Sequence, residues 1–115
     1  MKLGDEEKGI EFLVDTGAAY SILNKALMPV GDDYIVVHGA TGQSEKAYFC
    51  KPLKYKIGKQ WGIHKFLYLP NSPKALLGRD LLEQLQAIFI FRNGEVILEL
   101  NDQQYVEILS LILTT

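Results

Sequence analysis

Asp15, Thr16 and Gly17 form the stretch of this sequence best suited to chemistry, because they directly follow a mainly apolar run at residues 10–14. Leu13 and Val14 favour a strand, and Gly17 permits the backbone geometry that would end it abruptly. A carboxylate at a strand end, beside a hydroxyl and open backbone amides, can stay ionised and point at a bound water. The tripeptide therefore fits a general base, and it equally fits a turn in which Asp and Thr satisfy local backbone groups.

Length and composition limit the class of protein. The 115 residues predict a single domain over residues 1–115, and 48% hydrophobic with 23% charged residues is typical of a globular chain. A net charge of −2 without an apparent basic cluster argues against nucleic acid as a partner. The apolar stretches at 87–91 and 108–113 are too short to cross a bilayer, so no membrane partner is expected. Residues 1–9 do not resemble a signal peptide, and a Met so close to a strand suggests that natural residues are missing before it.

Neither the single cysteine nor the two histidines form a pattern typical of a metal or nucleophilic site. Cys50 has no partner for a disulfide and is interpreted as a buried or half-buried structural thiol. His38 and His64 lack metal-ligand spacing with each other or with Cys50, and we expect them in loops or on the surface. The sequence therefore predicts no metal and no cofactor.

The remaining chain reads mainly as strands. Residues 20–23 fit a short strand or a turn of helix, 24–33 a loop and 34–38 a strand. Gly39, Ala40, Thr41 and Gly42 would then form a hairpin tip, either an ordinary surface turn or a flexible segment able to close over a groove.

The second half of the sequence adds further strands and one helix. Strands are predicted at 53–57 and 61–69 around a turn at 58–60, and 70–73 ends the second. Leu81, Leu82 and Leu85 have helical spacing, with Asp80 near the predicted helix start. Asn93-Gly94 predicts a hairpin between 87–91 and 95–100. The apolar segment 105–113 fits either a buried strand or an interface with another chain.

Three separated stretches together resemble the retroviral aspartic proteases, most closely those of gammaretroviruses such as murine leukaemia virus and their endogenous copies. The matching stretches are Phe-Leu-Val-Asp-Thr-Gly-Ala at 12–18, Gly-Ala-Thr-Gly at 39–42 and Leu-Leu-Gly-Arg-Asp-Leu-Leu at 76–82. The similarity covers roughly residues 3–100 and fades afterwards. It implies an all-β, retropepsin-like fold: a closed, mostly antiparallel β-barrel with one short helix near the C-terminus.

The resemblance also implies a symmetric homodimer. The chemistry of aspartic proteases needs two carboxylates that share a proton, and this chain has one Asp-Thr-Gly. Two copies about a twofold axis would supply Asp15 from each subunit.

The resemblance assigns roles to particular residues. Asp15, Thr16 and Gly17 would be the catalytic triplet, with Arg79 and Asp80 as structural support. Residues implied to contact substrate are Ala18, Tyr20, His38, Gly39, Ala40, Thr41, Gly42 and Leu76. In many relatives the Arg pairs with an Asp four residues after the catalytic one, but here Ala19 stands there, so Arg79 must bond backbone carbonyls or another acid. Tyr20 also departs from the usual polar residue and is expected to alter a substrate pocket.

The function implied is that of an aspartic endopeptidase that cuts a Gag-Pol type polyprotein, in the virion or the host cytoplasm. Three alternatives remain open. The domain could have kept the architecture for dimerisation or peptide binding but lost turnover, or it could be a cellular retroviral-like protease domain such as that of a ubiquitin-shuttle protein. It could also be an unrelated small β module without catalysis.

Overall fold

A computed structural model describes residues 1–4, 9–38, 41–100, 104–108 and 111–112 of the chain. Thirteen strands and one helix occur in these residues. In chain order they are β1 (Lys2–Leu3), β2 (Phe12–Asp15), β3 (Ile22–Leu23), β4 (Val30–His38), β5 (Ser44–Cys50), β6 (Leu53–Ile57), β7 (Gln60–His64), β8 (Leu67–Tyr68), β9 (Ala75–Leu77), α1 (Arg79–Gln84), β10 (Ile88–Arg92), β11 (Glu95–Leu100), β12 (Gln104–Ile108) and β13 (Leu111–Ile112).

The largest sheet carries the Asp-Thr-Gly stretch. Its strands follow the order β13-β2-β9-β3-β8-β5-β4. Strand β2 lies between β9 and β13 and is parallel to both, with Val14 opposite Leu77 on one side and Leu111 on the other. Val14 is therefore paired on both sides, and Asp15 is paired with Ile112 of β13, so neighbouring strands hold the carboxyl end of β2 in place.

Two smaller antiparallel sheets complete the described fold, with strand orders β1-β6-β7 and β10-β11-β12. In the second sheet, β10 and β11 are joined by Asn93 and Gly94, whose φ angles of 52° and 75° are those of the tight turn that Asn-Gly predicts. The predicted hairpin is therefore confirmed. The predicted helix is also confirmed as α1, with Asp80 in its first turn.

The three sheets and the helix share one hydrophobic core. Leu77, Leu81 and Leu85 are almost completely buried within it, next to Leu23 of β3 and Leu98 of β11. The largest sheet, the helix and the C-terminal hairpin thus contribute to the same apolar interior.

Cys50 also belongs to this core, at 1% exposure, which confirms the expected buried thiol. Burial raises the pKa of this thiol, although a backbone hydrogen bond partly opposes the shift. Cys50 is therefore held in the form that is a poor nucleophile.

One predicted boundary in the first half of the chain was wrong. The loop predicted at 24–33 ends early, because β4 begins at Val30, which pairs with Cys50. The pairing between these strands shifts between Val30 and Tyr34, and this irregularity accommodates Gly31 and two aspartates within a strand. Residues 20–23, left open between strand and helix, contain the short strand β3.

The strand predicted at 61–69 is two strands in different sheets. Strand β7 begins at Gln60, inside the predicted turn, and pairs with β6, whereas β8 pairs with β3 and β5. The orientation of β7 is also inverted relative to its apolar pattern, since Trp61 and Ile63 are each 61% exposed. Its inward positions are Gly62 and His64, so hydrophobic alternation gave the wrong face.

The C-terminal segment pairs with strands of its own chain. Strand β12 pairs with β11, and β13 pairs with β2, while the predicted positions 109, 110 and 113 lie outside the described residues. The pairing is antiparallel in most of the described strand pairs, as expected. Within the described part of the chain, no sheet closes on itself, so the closed barrel stays a prediction.

Gly62 provides space for Tyr55, a buried side chain at 2% exposure. A Cβ atom at position 62 would lie 2.3 Å from the Tyr55 hydroxyl oxygen. We expect Gly62→Ala to lower the free energy of unfolding by about 1–3 kcal/mol, because the buried ring must shift. Urea titration at one fixed protein concentration measures the change.

Gly31→Ala is the matched control, because its nearest neighbour, the carbonyl oxygen of Phe49, would lie at an ordinary 3.5 Å. The control should stay within about 0.5 kcal/mol of the wild type. Equal losses for the two variants would contradict the steric explanation.

Candidate active site

Asp15 is the last residue of β2, and its carboxylate is oriented by the turn that follows. The backbone N–H of Gly17 donates to Asp15 Oδ1 at 2.9 Å, and that of Ala18 donates to the Asp15 carbonyl at 3.2 Å. The predicted strand and tight turn are thus confirmed. The hydrogen bond from Gly17 to the Asp15 side chain also occurs in ordinary Asx turns, so it fits the interpretation of the tripeptide as a turn. Asp15 remains half-exposed, and an ionised carboxylate has further acceptor positions for a water molecule.

The side chain of Arg79, the first residue of α1, hydrogen-bonds the backbone of the Asp-Thr-Gly turn. Its Nη1 donates to the carbonyl oxygen of Thr16 at 3.1 Å and faces that of Gly17 at 3.4 Å. The expectation that Arg79 bonds backbone carbonyls in place of an acid at Ala19 is confirmed. The guanidinium thus bridges α1 and the Asp-Thr-Gly turn.

The start of α1 packs directly against the backbone of residues 18–20. The N–H of Arg79 donates to the Ala18 carbonyl at 2.8 Å, and the N–H of Asp80 donates to the Ala19 carbonyl at 3.2 Å. At Gly78, a Cβ atom would lie only 2.5 Å from the Tyr20 carbonyl oxygen. Glycine is therefore required here, because the two backbones approach too closely for any side chain.

Asp80 is the most connected polar side chain of the site. Its Oδ1 accepts hydrogen bonds from the N–H of Ser21 at 2.9 Å, the Ser21 hydroxyl at 2.7 Å and the N–H of Leu81 at 2.7 Å. Its Oδ2 lies 2.8 Å from Nε2 of His64. Burial raises the pKa of Asp80, but the hydrogen bonds from His64 and Ser21 outweigh it and hold the pKa below the usual range.

Ser21 and His64 are site residues that sequence reasoning missed. Ser21 is fully buried, and its hydroxyl also accepts from the N–H of Gly78 at 2.9 Å. No periodic signal marks it, since it lies between Tyr20 and Ile22 in an apolar run. His64 was expected in a loop or on the surface, but it ends β7 and its side chain is only 12% exposed. The inverted orientation of β7 placed it inward.

The residues predicted to contact substrate fall into two groups. Ala18, Tyr20 and Leu76 lie around the Asp-Thr-Gly turn: Leu76 pairs with Leu13, and Tyr20 packs edge-on against Phe49 at 5.4 Å. The second group belongs to the β4–β5 hairpin, at the opposite edge of the sheet order from β13 and β2.

In that hairpin His38 is exposed and lies 3.0 Å from the Ser44 hydroxyl, and Thr41 and Gly42 are exposed beside it. Gly42 has a φ of +83°. The described contacts do not join this second group to Asp15. Gly39 and Ala40 lie outside the described residues.

The described ranges contain neither a metal-ligand cluster nor a membrane-spanning helix. No group of three or more His, Cys, Asp or Glu side chains there could hold a metal ion. The described helix is also too short to span a membrane.

The chain belongs to the retroviral aspartyl protease family, whose model matches residues 2–89. It is 49% identical over 78 residues to the Gag-Pol polyprotein of gibbon ape leukemia virus. This match covers 68% of this chain and 5% of that protein. It is 39% identical over 103 residues to the Gag-Pol polyprotein of baboon endogenous virus, covering 89% of this chain and 6% of that protein. The chain thus spans about a twentieth of the curated relatives it matches.

A solved structure agrees with the family assignment. The protease of EIAV, in complex with the inhibitor HBY-793, matches with a TM-score of 0.55 and 26% identity. The match covers 71% of this chain and 82% of that one. The predicted resemblance to gammaretroviral and endogenous retroviral proteases is confirmed, as is a mostly β retropepsin fold with one short helix.

The lowered pKa of Asp80 gives a testable pH dependence. A group whose pKa is lower in the folded state stabilises the fold above its unfolded pKa, and this stabilisation disappears as the pH falls through the folded value. We expect Asp80→Asn to unfold more easily by about 1–3 kcal/mol at near-neutral pH, because the charged acceptor is lost. The difference from the wild type should shrink as the pH is lowered from about 5 to about 3, the range in which carboxylates titrate.

Chemical denaturation of both proteins at each pH, at one protein concentration, measures this difference. The other carboxylates titrate in both proteins and cancel in the comparison, and the range below about pH 5 lies under the usual titration range of histidine. A difference that stays constant or grows between about pH 5 and about pH 3 would contradict the role assigned to the ionised Asp80.

Proposed function

We propose that this chain is an aspartic endopeptidase, active as a symmetric homodimer, that hydrolyses peptide bonds in a Gag-Pol type polyprotein. The observation that carries the proposal is the placement of Asp15. This carboxylate ends a strand paired on both sides, accepts from the Gly17 N–H and is backed by Arg79 in a member of a protease family. Such a preorganised acid at a half-exposed turn suits the activation of water.

The dimer is proposed because one chain supplies one such acid. Two carboxylates must lie close enough to share a proton, so that one is ionised while the other is protonated. A twofold axis beside Asp15 would bring the two copies together and place the site at an isologous interface. Thr16 would then hydrogen-bond across the axis. A closed barrel around each half of the site belongs to the same proposal.

The proposed reaction uses both copies of Asp15. The ionised carboxylate takes a proton from a bound water, whose oxygen attacks the scissile carbonyl carbon. The protonated carboxyl donates a hydrogen bond to the carbonyl oxygen and stabilises the tetrahedral intermediate. The first carboxyl then passes the proton taken from water to the amide nitrogen, the C–N bond breaks as the carbonyl re-forms, and an acid and an amine are released with the first Asp15 ionised again. No covalent bond to the enzyme forms.

The substrate would bind as an extended peptide. Gly17 would offer its backbone carbonyl, and Ala18, Tyr20 and Leu76 would line apolar pockets beside the turn. Residues 38–42 would form a flap, one from each subunit, that hydrogen-bonds the peptide backbone and excludes water. The two halves of the predicted site would then meet only around a bound substrate in the dimer.

The substrate class and location follow from the relatives. Because the matched proteins are viral Gag-Pol polyproteins, the natural substrate is proposed to be such a polyprotein, including the segments that flank the chain itself. The protease would act in the virion or the host cytoplasm. These relatives favour the viral branch over a cellular protease domain.

The test is cleavage of a panel of apolar octapeptides at mildly acidic pH, with Asp15→Asn beside the wild type. We expect the wild type to cut with a specific rate that rises with protein concentration, because dimerisation creates the site. Asp15→Asn should lose at least about 99.9% of the rate. Asp32→Asn is the matched control, since Asp32 is exposed on β4 and should leave the rate unchanged.

Mixing the wild type with Asp15→Asn tests whether the site is shared. After subunit exchange of equal amounts, a shared site leaves about one quarter of the wild-type activity per dimer, whereas independent sites leave about one half. A folded, dimeric wild type that cleaves nothing across the panel would replace the enzyme by a peptide-binding or dimerisation domain.

A further inference from the structure

His64 lies at the end of β7, where its ring is enclosed by the start of α1 and by Phe66. The ring meets Phe66 edge-on, with centroids 5.1 Å apart at 84°. Only 12% of the side chain is exposed. A polar ring so enclosed needs hydrogen-bond partners for both of its nitrogens, and it has them.

Both partners of the ring are acceptors. Nδ1 lies 3.1 Å from Oε1 of Gln84, and Nε2 lies 2.8 Å from Oδ2 of Asp80. The orientation of the Gln84 amide is fixed independently, because its Nε2 donates to the carbonyl oxygen of Ile63 at 3.1 Å, and a carbonyl can only accept. Oε1 must therefore face the histidine. A ring with two acceptors in front of it satisfies both only when both nitrogens carry a proton.

The other groups around the ring do not change this assignment. Behind Gln84 lies the hydroxyl of Tyr55, which accepts from Gln84 Nε2 at 3.0 Å. Burial raises the pKa of Tyr55 more than this hydrogen bond lowers it, so the hydroxyl stays neutral. Asp80 on α1 is thus the charged group in contact with His64 among the described residues, with Gln84 on the same helix, Tyr55 on β6 and Phe66 as neutral neighbours.

Through Asp80, the ring is connected to the segment that follows Asp15. The second carboxylate oxygen of Asp80 accepts from the N–H and hydroxyl of Ser21, and that hydroxyl in turn accepts from the N–H of Gly78. A carboxylate held at one oxygen alone could rotate about its side-chain torsions. Held at both oxygens, it has one orientation, and so does the backbone of Ser21.

We infer that His64 is a positioning residue of the proposed active site, which acts as an imidazolium by fixing Asp80 and, through it, the segment 18–21 behind the catalytic turn. The role of His64 in catalysis rests on the proposed function. The protonation of both ring nitrogens does not depend on it, because it is inferred from the hydrogen-bond geometry alone. Loss of the ring would leave a half-buried carboxylate oxygen without its donor, and the segment beside Asp15 would gain freedom.

Ring-nitrogen NMR shifts of the folded wild type at near-neutral pH test the protonation state. We expect the pattern of two protonated nitrogens for His64. In Asp80→Asn, the amide oxygen must face Ser21 and Leu81, so the amide nitrogen faces the ring and donates to Nε2. That variant should show one protonated nitrogen, Nδ1, and one bare nitrogen, Nε2.

Three substitutions test the positioning role. His64→Phe removes both donors but keeps a ring against Phe66, whereas His64→Gln keeps one donor for Asp80. We expect His64→Phe to lower kcat/KM about tenfold, mostly through kcat, in protein shown by sedimentation to be folded and dimeric. His64→Gln should recover part of the loss. Trp61→Phe, an exposed aromatic substitution on the same strand, should leave kcat/KM unchanged.

The double variant His64→Phe with Asp80→Asn distinguishes coupling from independent damage. If His64 acts through Asp80, the second substitution should add little to the loss caused by either alone, because both break the same link. The backbone amide signals of Ala18 and Ser21 should also shift in His64→Phe and remain in place in Trp61→Phe.

Each result has a defined meaning. A singly protonated ring in the wild type, or full kcat in a dimeric His64→Phe, overturns the inference. Additive losses in the double variant overturn the route through Asp80. An inactive wild type overturns the proposed function and with it the catalytic role of His64, while the ring-nitrogen shifts still decide the protonated pairing with Asp80.

Discussion

The carboxylate of Asp80 is the interaction on which the site depends most. It lies where the helix begins, and it joins three parts of the chain that are far apart in sequence: Ser21 after the Asp-Thr-Gly turn, His64 at the end of β7 and the first turn of α1. A half-buried charge is costly unless it is well paired, and here both oxygens have donors. These hydrogen bonds to one carboxylate give the three segments a single relative geometry.

Around this carboxylate, backbone contacts and glycines complete the support. Gly78 lets the helix start approach the Tyr20 carbonyl, and Arg79 reaches the carbonyls of the Asp-Thr-Gly turn. Gly62 serves a similar purpose further out, since it admits Tyr55, which in turn fixes Gln84 next to His64. Packed side chains and hydrogen bonds thus connect strand β7 to the turn that contains Asp15.

The features that the sequence predicted correctly are those set by local geometry. The strand and tight turn at Asp15, the helix start near Asp80 and the Asn93-Gly94 hairpin each follow from a few adjacent residues. The start of β4, the inward face of β7 and the roles of Ser21 and His64 depend on partners that are distant in the chain. The members of these pairs are 16 or more residues apart, so the periodic pattern of neighbouring residues carries no signal of their contact.

The pairing of β2 has a consequence for when the fold can form. The residues on either side of Val14 in the sheet are Leu77 and Leu111, so the strand that carries Asp15 is completed by segments made much later in synthesis. Contacts between such distant parts of a chain cost more loop-closure entropy and form more slowly than local ones. A ribosome that has made only the first half of the chain has therefore produced the Asp-Thr-Gly turn without the neighbours that hold it, which delays the finished site until the last strands have emerged.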